Sequence, residues 1–378
     1  MAIMSGLSGN EMYCLNLKGL VPGELVLGNS VYSMGFVGSM GAGFRSMMGG
    51  EVTQFTETIH DGRLQAIERM EEEAEESGGY GISGVSSELK SFRGNIEFIS
   101  LGTCVKRGDS DSSKLKFSTH GDGQELYCQL DAGFIPIKFA FGNVAYSIGV
   151  GGGIMAGFKS LARGEIKEYS NVLNKTRHLA LQRLEDEARA VKANAIIGIE
   201  TTVMPFQGVH EMMMTGTAAR HPALPAEYLE YPVTSDLTCE EMWNLVSMGY
   251  LPLKLVMGTA VYSLGVAGGI MSWFKSFSKG EISDLTSLIY DAREHAIGLI
   301  RDEADDIGAD DVVGIKTHIH EMGNLIEFMA IGTAVKKFPG VATKSPTLPP
   351  QAIINDKNTW ISESTGSFAT LNKGGESK

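Results

Sequence analysis

The residues with the most chemical potential in this chain come in columns. Glu51, Arg63, Glu73 and Glu97 recur as Glu165, Arg177, Glu187 and Glu211, and again as Glu281, Arg293, Glu303 and Glu327. Carboxylates held near a guanidinium serve two ends. A buried acid with a raised pKa can exchange protons, and a paired acid can lock two surfaces together. Spacing decides between them: Arg177 and Glu187 stand ten residues apart on one helix, about 15 Å along its axis, so they cannot pair within it. A set written three times also suits contacts made three times better than one active site. The columns predict salt bridges between subunits.

Metal chemistry has narrower support. His318 and His320 would place both imidazoles on one side of a strand. The other repeats hold Glu88 and Lys90, or Thr202 and Met204, at those positions. Met212, Met213 and Met214 are adjacent thioethers that suit Cu(I), and methionine also fills irregular interfaces. Cys14 and Cys128 are equivalent, but the third repeat has Asn244 there; Cys104 gives way to Ala218 and Ala334, and Cys239 stands apart. No CxxC or HxxxH spacing occurs. His318 and His320 are therefore the ligand pair the sequence offers, for a divalent metal or Cu(I).

The glycine-rich stretch from Gly151 to Ser160 invites a phosphate-loop reading, but Phe158 intervenes between Gly157 and Lys159, and the third repeat replaces Gly157 by Trp273. Packing is the preferred role. Ser33, Ser147 and Ser263 lack a repeated histidine, so neither a nucleophilic triad nor any catalytic residue is predicted.

These columns are positioned by a threefold internal repeat. Tyr32-Ser33-x-Gly35, Tyr146-Ser147-x-Gly149 and Tyr262-Ser263-x-Gly265 align without a gap, as do Gly84, Gly198 and Gly314. The chain of 378 residues divides into repeats at 1–107, 125–220 and 241–337. A polar linker, 108–124, a linker with three prolines, 221–240, and a tail, 338–378, account for the rest. The tail, rich in Pro, Ser, Thr, Asn and Gly, reads as extended or disordered until a partner protein takes it up. Each repeat reads as strand, short helical segment, long helix, strand, strand, an α+β class. Gly28, Gly142 and Gly258 mark bulges or close approaches in the first strand. Tyr169, Val172, Thr176, Ala180, Leu184, Ala188 and Val191 give the long helix one apolar stripe. Strand 211–219 is apolar on both faces, and one helix per repeat covers only one of them. The second cover must come from another repeat or another chain.

A net charge of −13 opposes nucleic acid and anionic lipid as partners. No run of 18 apolar residues predicts membrane insertion. The N-terminus lacks the basic and apolar regions of a signal peptide, and four scattered cysteines suit a reducing cytoplasm.

The order of motifs resembles the YbjQ-like domain family, which is labelled heavy-metal-binding. The closest matches are Gly308-Ala309-Asp310, Val312-Val313-Gly314-Ile315 and Gly332-Thr333-Ala334-Val335-Lys336. The resemblance covers all three repeats. It implies dodecin-like β-α-β-β domains in homopentameric rings, without established catalysis or a resident cofactor. Five chains carrying three repeats each would then form a scaffold of three stacked rings, one repeat type per ring, around a central channel. The alternative is a metal- or ligand-binding module acting at subunit interfaces.

Overall fold

The first strand of each repeat is long, alternating and close to a helix on one side, and the rest of the repeat is built outward from it. The structure, a computed structural model, describes residues 2–33, 50–93, 95–108, 114–147, 164–206, 209–263, 283–322 and 325–353. The glycine-rich stretch 151–160 and Glu281 lie outside them. The first repeat runs α1 (Gly9–Leu17), β1 (Val21–Ser33), β2 (Gly50–Glu51), α2 (Thr53–Glu76), β3 (Gly81–Phe92) and β4 (Asn95–Lys106). The second follows as β5 (Phe117–Ser118), α3 (Gly123–Asp131), β6 (Ile135–Ser147), β7 (Gly164–Glu165), α4 (Lys167–Ala190), β8 (Ala195–Phe206) and β9 (Val209–Arg220). After a 3-10 turn at Ala226–Leu229 come β10 (Val233–Thr234), α5 (Cys239–Ser247), β11 (Tyr250–Ser263), α6 (Ser283–Asp306), β12 (Asp311–Met322) and β13 (Leu325–Lys337). The α+β reading holds in all three repeats.

Within each repeat the last strand lies centrally, antiparallel to the other two, in the orders β1-β4-β3, β6-β9-β8 and β11-β13-β12. The short strands cross repeat boundaries. β2 pairs with β6 (Glu51 opposite Tyr146), and β7 pairs with β11 (Glu165 opposite Tyr262). β5 and β10 extend the sheet behind them as parallel partners of β3 and β8. Neighbours in sequence are thereby neighbours in space.

Two glycine columns have separate causes. At Gly28, Gly142 and Gly258 the register runs on unbroken, and a Cβ would run into the backbone oxygen of Ala66, Ala180 or Ala296 on the repeat's own helix. These are close approaches rather than bulges. Gly84, Gly198 and Gly314 have φ between 62° and 66° and sit at register shifts, so they are the bulges.

The single apolar stripe expected on the long helix becomes two. In α4, Leu173, Leu181 and Arg177 are buried beside Tyr169, Thr176, Ala180, Leu184 and Ala188. One stripe lies on the helix's own sheet, and the other covers the far face of the next repeat's first strand. Phe55, Ile59, Ile67 and Met70 of α2 share clusters with Ala145, Phe139 and Phe141 of β6. The second stripe of α4 likewise joins Leu255, Met257 and Val261 of β11. The helix of the preceding repeat thus covers β6; on the strand 211–219, for which a second cover was expected, its Arg63 meets Glu211, while Ala219 packs into the layer around Cys128 and Trp243.

Short helices α1, α3 and α5 were not anticipated. Each starts with a capping box, Ser8 with Glu11, Asp122 with Glu125, Thr238 with Glu241. They cluster around Cys14, Tyr127, Cys128, Met242 and Trp243. Asp131 ties this layer together, accepting from Lys18 Nζ (2.6 Å), Trp243 Nε1 (2.8 Å) and Ser345 Oγ (2.8 Å). The Ser345 bond fastens the first part of the tail, up to Ile353, across the helices.

A Gly142→Ala chain should lose roughly 1–3 kcal/mol of stability, because the clashing atom is helix backbone that cannot yield. Urea unfolding measures it, and an unchanged midpoint would contradict the close-approach assignment.

Candidate assembly interface

The long helix carries an arginine on its second stripe, and the next repeat's last strand carries a glutamate facing it. Arg63 of α2 holds Glu211 of β9 through Nη2–Oε2 (2.9 Å) and Nε–Oε1 (3.2 Å). Its Nη1 donates to Ser87 O and Oγ at 3.1 Å each. Arg177 of α4 holds Glu327 of β13 with Nη2 at 2.7 Å from Oε2 and 2.8 Å from Oε1, and donates to Tyr146 Oη at 2.8 Å. All four charged side chains are 0% exposed. Burial alone would lower the Arg177 pKa, but the Glu327 carboxylate outweighs it and raises the value above the ordinary one. Such pairs are demanding: removing one partner strands a charge in a medium that cannot solvate it.

Hydroxyls reinforce the seat. Thr56 Oγ1 on α2 accepts from Ala145 N (2.9 Å), and Ser170 Oγ on α4 accepts from Val261 N (2.9 Å). Arg183 of α4 reaches back to Glu51 at 2.7 Å, and His295 lies 3.5 Å from Glu165. The remaining members of the columns differ. Glu187 pairs with Lys138 (3.1 Å) in its own repeat, and Glu73 accepts from Leu27 N (2.6 Å) in its own. Glu303 pairs with Lys254 (2.7 Å) and also meets His178 of the preceding repeat at 3.4 Å. Glu97 accepts from Asn29 Nδ2 (3.1 Å), and Arg293 has no hydrogen-bond or ion-pair partner among the described residues. Of the contacts expected between subunits, those of Arg63, Arg177, Glu51 and Glu165 join repeats of one chain, and those of Glu73, Glu97 and Glu187 stay within a repeat.

His318 and His320 do share a face of β12, with rings stacked at 6.5 Å and 10° between planes. Sequence reasoning missed His210, which stacks on Tyr146 at 5.6 Å in the same interface. Among the described residues, His210 Nδ1 and His320 Nε2 are buried without a hydrogen-bond partner. Burial first, and the Arg177 charge as well, lower the pKa of both rings. Among the described residues, no group of three or more His, Cys, Asp or Glu side chains is placed to hold a metal ion. The four cysteines are free and buried, and burial raises Cys14 to about 11, so its thiol is a poor source of thiolate. Among the described residues, no helix is long and apolar enough to cross a membrane.

Fold and interface together define a tandem α+β repeat protein whose repeats fasten to one another through buried ion pairs. The chain belongs to the YbjQ family: the family model described as "Putative heavy-metal-binding" matches residues 20–107, 136–221 and 250–337. The chain is 32% identical over 228 residues to the encapsulin nanocompartment protein of Mycobacterium tuberculosis, covering 57% of this chain and 85% of that one. It is 46% identical over 79 residues to a UPF0145 protein of Thermoplasma volcanium (21% of this chain, 65% of that protein). A UPF0145 protein of Methanoregula boonei is 43% identical over 83 residues (22% and 69%). The two UPF0145 relatives therefore align over the length of one repeat, and the mycobacterial protein over more than one.

Arg177→Ala should destabilise the chain by about 3–5 kcal/mol, whereas Arg177→Met with Glu327→Leu should recover most of that loss. Equal losses in both, by urea unfolding, would show that packing rather than the stranded carboxylate sets the cost.

Acid should also weaken this contact. His210 and His320 have folded pKa values below the ordinary 6.5, so the unfolded chain binds more protons in that range. Their contribution is present above pH 6.5 and is lost as pH falls below it. Substituting the residues of the other repeats, His210→Ile and His320→Met, should flatten the loss of stability between pH 7.5 and pH 5 relative to the parent. An unchanged slope would remove these rings as its cause.

Proposed function

We propose that the chain is a non-enzymatic structural protein that assembles with copies of itself in the cytoplasm. The observation that carries this reading is the fate of the repeated charged residues. The two Arg–Glu pairs that recur are spent, fully buried, on holding one repeat to the next. The name of the mycobacterial relative, a nanocompartment protein, supports an assembly role. The homopentamer implied by the family resemblance, with stacked rings around a central channel, is the oligomer proposed. The tail, by its Pro, Ser and Thr content, is proposed to recruit a protein partner.

A second reading, binding of a small ligand or metal between repeats, rests on one observation. A cavity of about 270 Å³ lies between β8 and β12, lined by His120, Glu200, Asp236, Lys316 and His318 among others. It carries both signs of charge, which suits a small polar ligand better than a bare cation.

Light scattering on the purified chain, with metal content read on the same peak, separates the two. Assembly predicts a mass near five times 40.6 kDa, about 200 kDa, without stoichiometric metal. A 40.6 kDa monomer carrying stoichiometric metal would overturn the assembly reading and favour the binding module.

A further inference from the structure

We propose that the uncovered strand face of the first repeat receives the third-repeat helix of a second copy of this chain, head to tail. In that contact Arg293 of one copy pairs with Glu97 of the next. The proposal rests on the self-assembly reading and specifies its contact.

The series of inter-repeat contacts is open at both ends. On β6, Phe139, Phe141 and Ala145 are 1%, 3% and 0% exposed, because α2 lies over them. On β11, Leu255, Met257 and Val261 are 0%, 1% and 0% exposed beneath α4. The same positions on β1 are Leu25, Leu27 and Val31, which are 50%, 48% and 59% exposed. An apolar strand face of this kind is a surface shaped for burial, and among the described residues it stays about half exposed.

Polar groups mark the occupant. Glu97 lies opposite Val31, as Glu211 lies opposite Ala145 and Glu327 opposite Val261. Glu211 and Glu327 each receive a buried arginine, whereas Glu97 is only half-buried. At the other end, Arg293 holds the place of Arg63 and Arg177 on its helix, yet is exposed and has no ion-pair partner among the described residues. Thr286 holds the place of Thr56 and Ser170, whose hydroxyls accept from the strand amides of Ala145 and Val261. Val31 is the matching strand residue. Tyr290, 63% exposed, holds the place of His60, whose ring lies 4.9 Å from that of Phe141. The residue at Phe141's position in the first repeat is Leu27.

The contact is heterologous, so its two surfaces must differ, and they do. One end offers a carboxylate on an apolar strand, the other an arginine on a helix. Two first repeats placed face to face would set Glu97 against Glu97 with no helix between the strands. Charge therefore selects the head-to-tail pairing over the like-with-like one.

The test uses two full-length chains, V31C and T286C, mixed and treated with a short bismaleimide. The four native cysteines are buried, so the unsubstituted chain serves as the blank. Covalent dimers should form in the mixture and in neither chain alone. Adding Arg293→Glu to the T286C chain should cut the yield about tenfold or more. Cross-linking of V31C to itself would overturn the proposal in favour of like-with-like contacts. Absence of the mixed cross-link from a preparation whose native mass is oligomeric would overturn this contact alone, leaving self-assembly standing. A monomeric mass for the parent chain would instead remove the assembly reading on which the contact rests.

Discussion

The structure depends on a first β-strand that is apolar on both sides and whose own repeat lays its long helix over only one of them. Such a strand is stable only when something else covers its second face, since apolar area left in water forfeits about 25 cal/mol per Å². Here the cover comes from the helix of the repeat before. The long helix in turn needs two stripes, one for its own sheet and one for its neighbour's, and α4 has both. Close backbone approach at Gly142 brings the helix onto its own sheet, and β2 and β7 add a strand to the following sheet. The contact is directional because a helix is laid over a strand.

Hydrophobic cover alone would tolerate sliding of helix over strand. The buried arginine removes that freedom, since Arg63 meets Glu211 and Arg177 meets Glu327 through two nitrogens each. A displacement by one helical turn would leave two desolvated charges apart, which is far costlier than a shift of aliphatic contacts. The ion pairs fix the register of the repeats while the apolar stripes supply most of the attraction. The two interfaces are not identical in their polar surroundings. Arg63 is completed by Ser87, whereas Arg177 is completed by Tyr146 and sits near the neutral rings of His210 and His320. The second contact therefore carries two histidines, held below their ordinary pKa, near its ion pair.

The helices before each repeat do different work. They cap themselves through short side chains and form a separate apolar layer around Cys128 and Trp243. Asp131 draws in Lys18, Trp243 and Ser345 from three distant parts of the chain, and that convergence, led after the cost of burial by Lys18, holds its carboxyl below the usual range. Chain order is thus enforced at two levels, by the sheets and by this layer.

The sequence by itself determined the threefold repeat, the α+β class and the need for a second cover on a strand apolar on both faces. It also supplied the arginine and glutamate columns, because Arg177 and Glu187 stand too far apart to satisfy each other within one helix. The short helices are missing from that reading, although a signal for them stands in the capping-box spacing of Ser8 with Glu11 and its two counterparts. What only the tertiary structure decided was which element supplies the cover, and which acid each arginine meets. Arg63 and Glu211 are 148 residues apart, and no periodicity in sequence connects one repeat's helix with the next repeat's strand. The convergence of His210, Tyr146 and His320 belongs to the same class. His320 stands out beside His318 in its own strand, but its approach to His210 and Tyr146 arises only when two sheets are packed together.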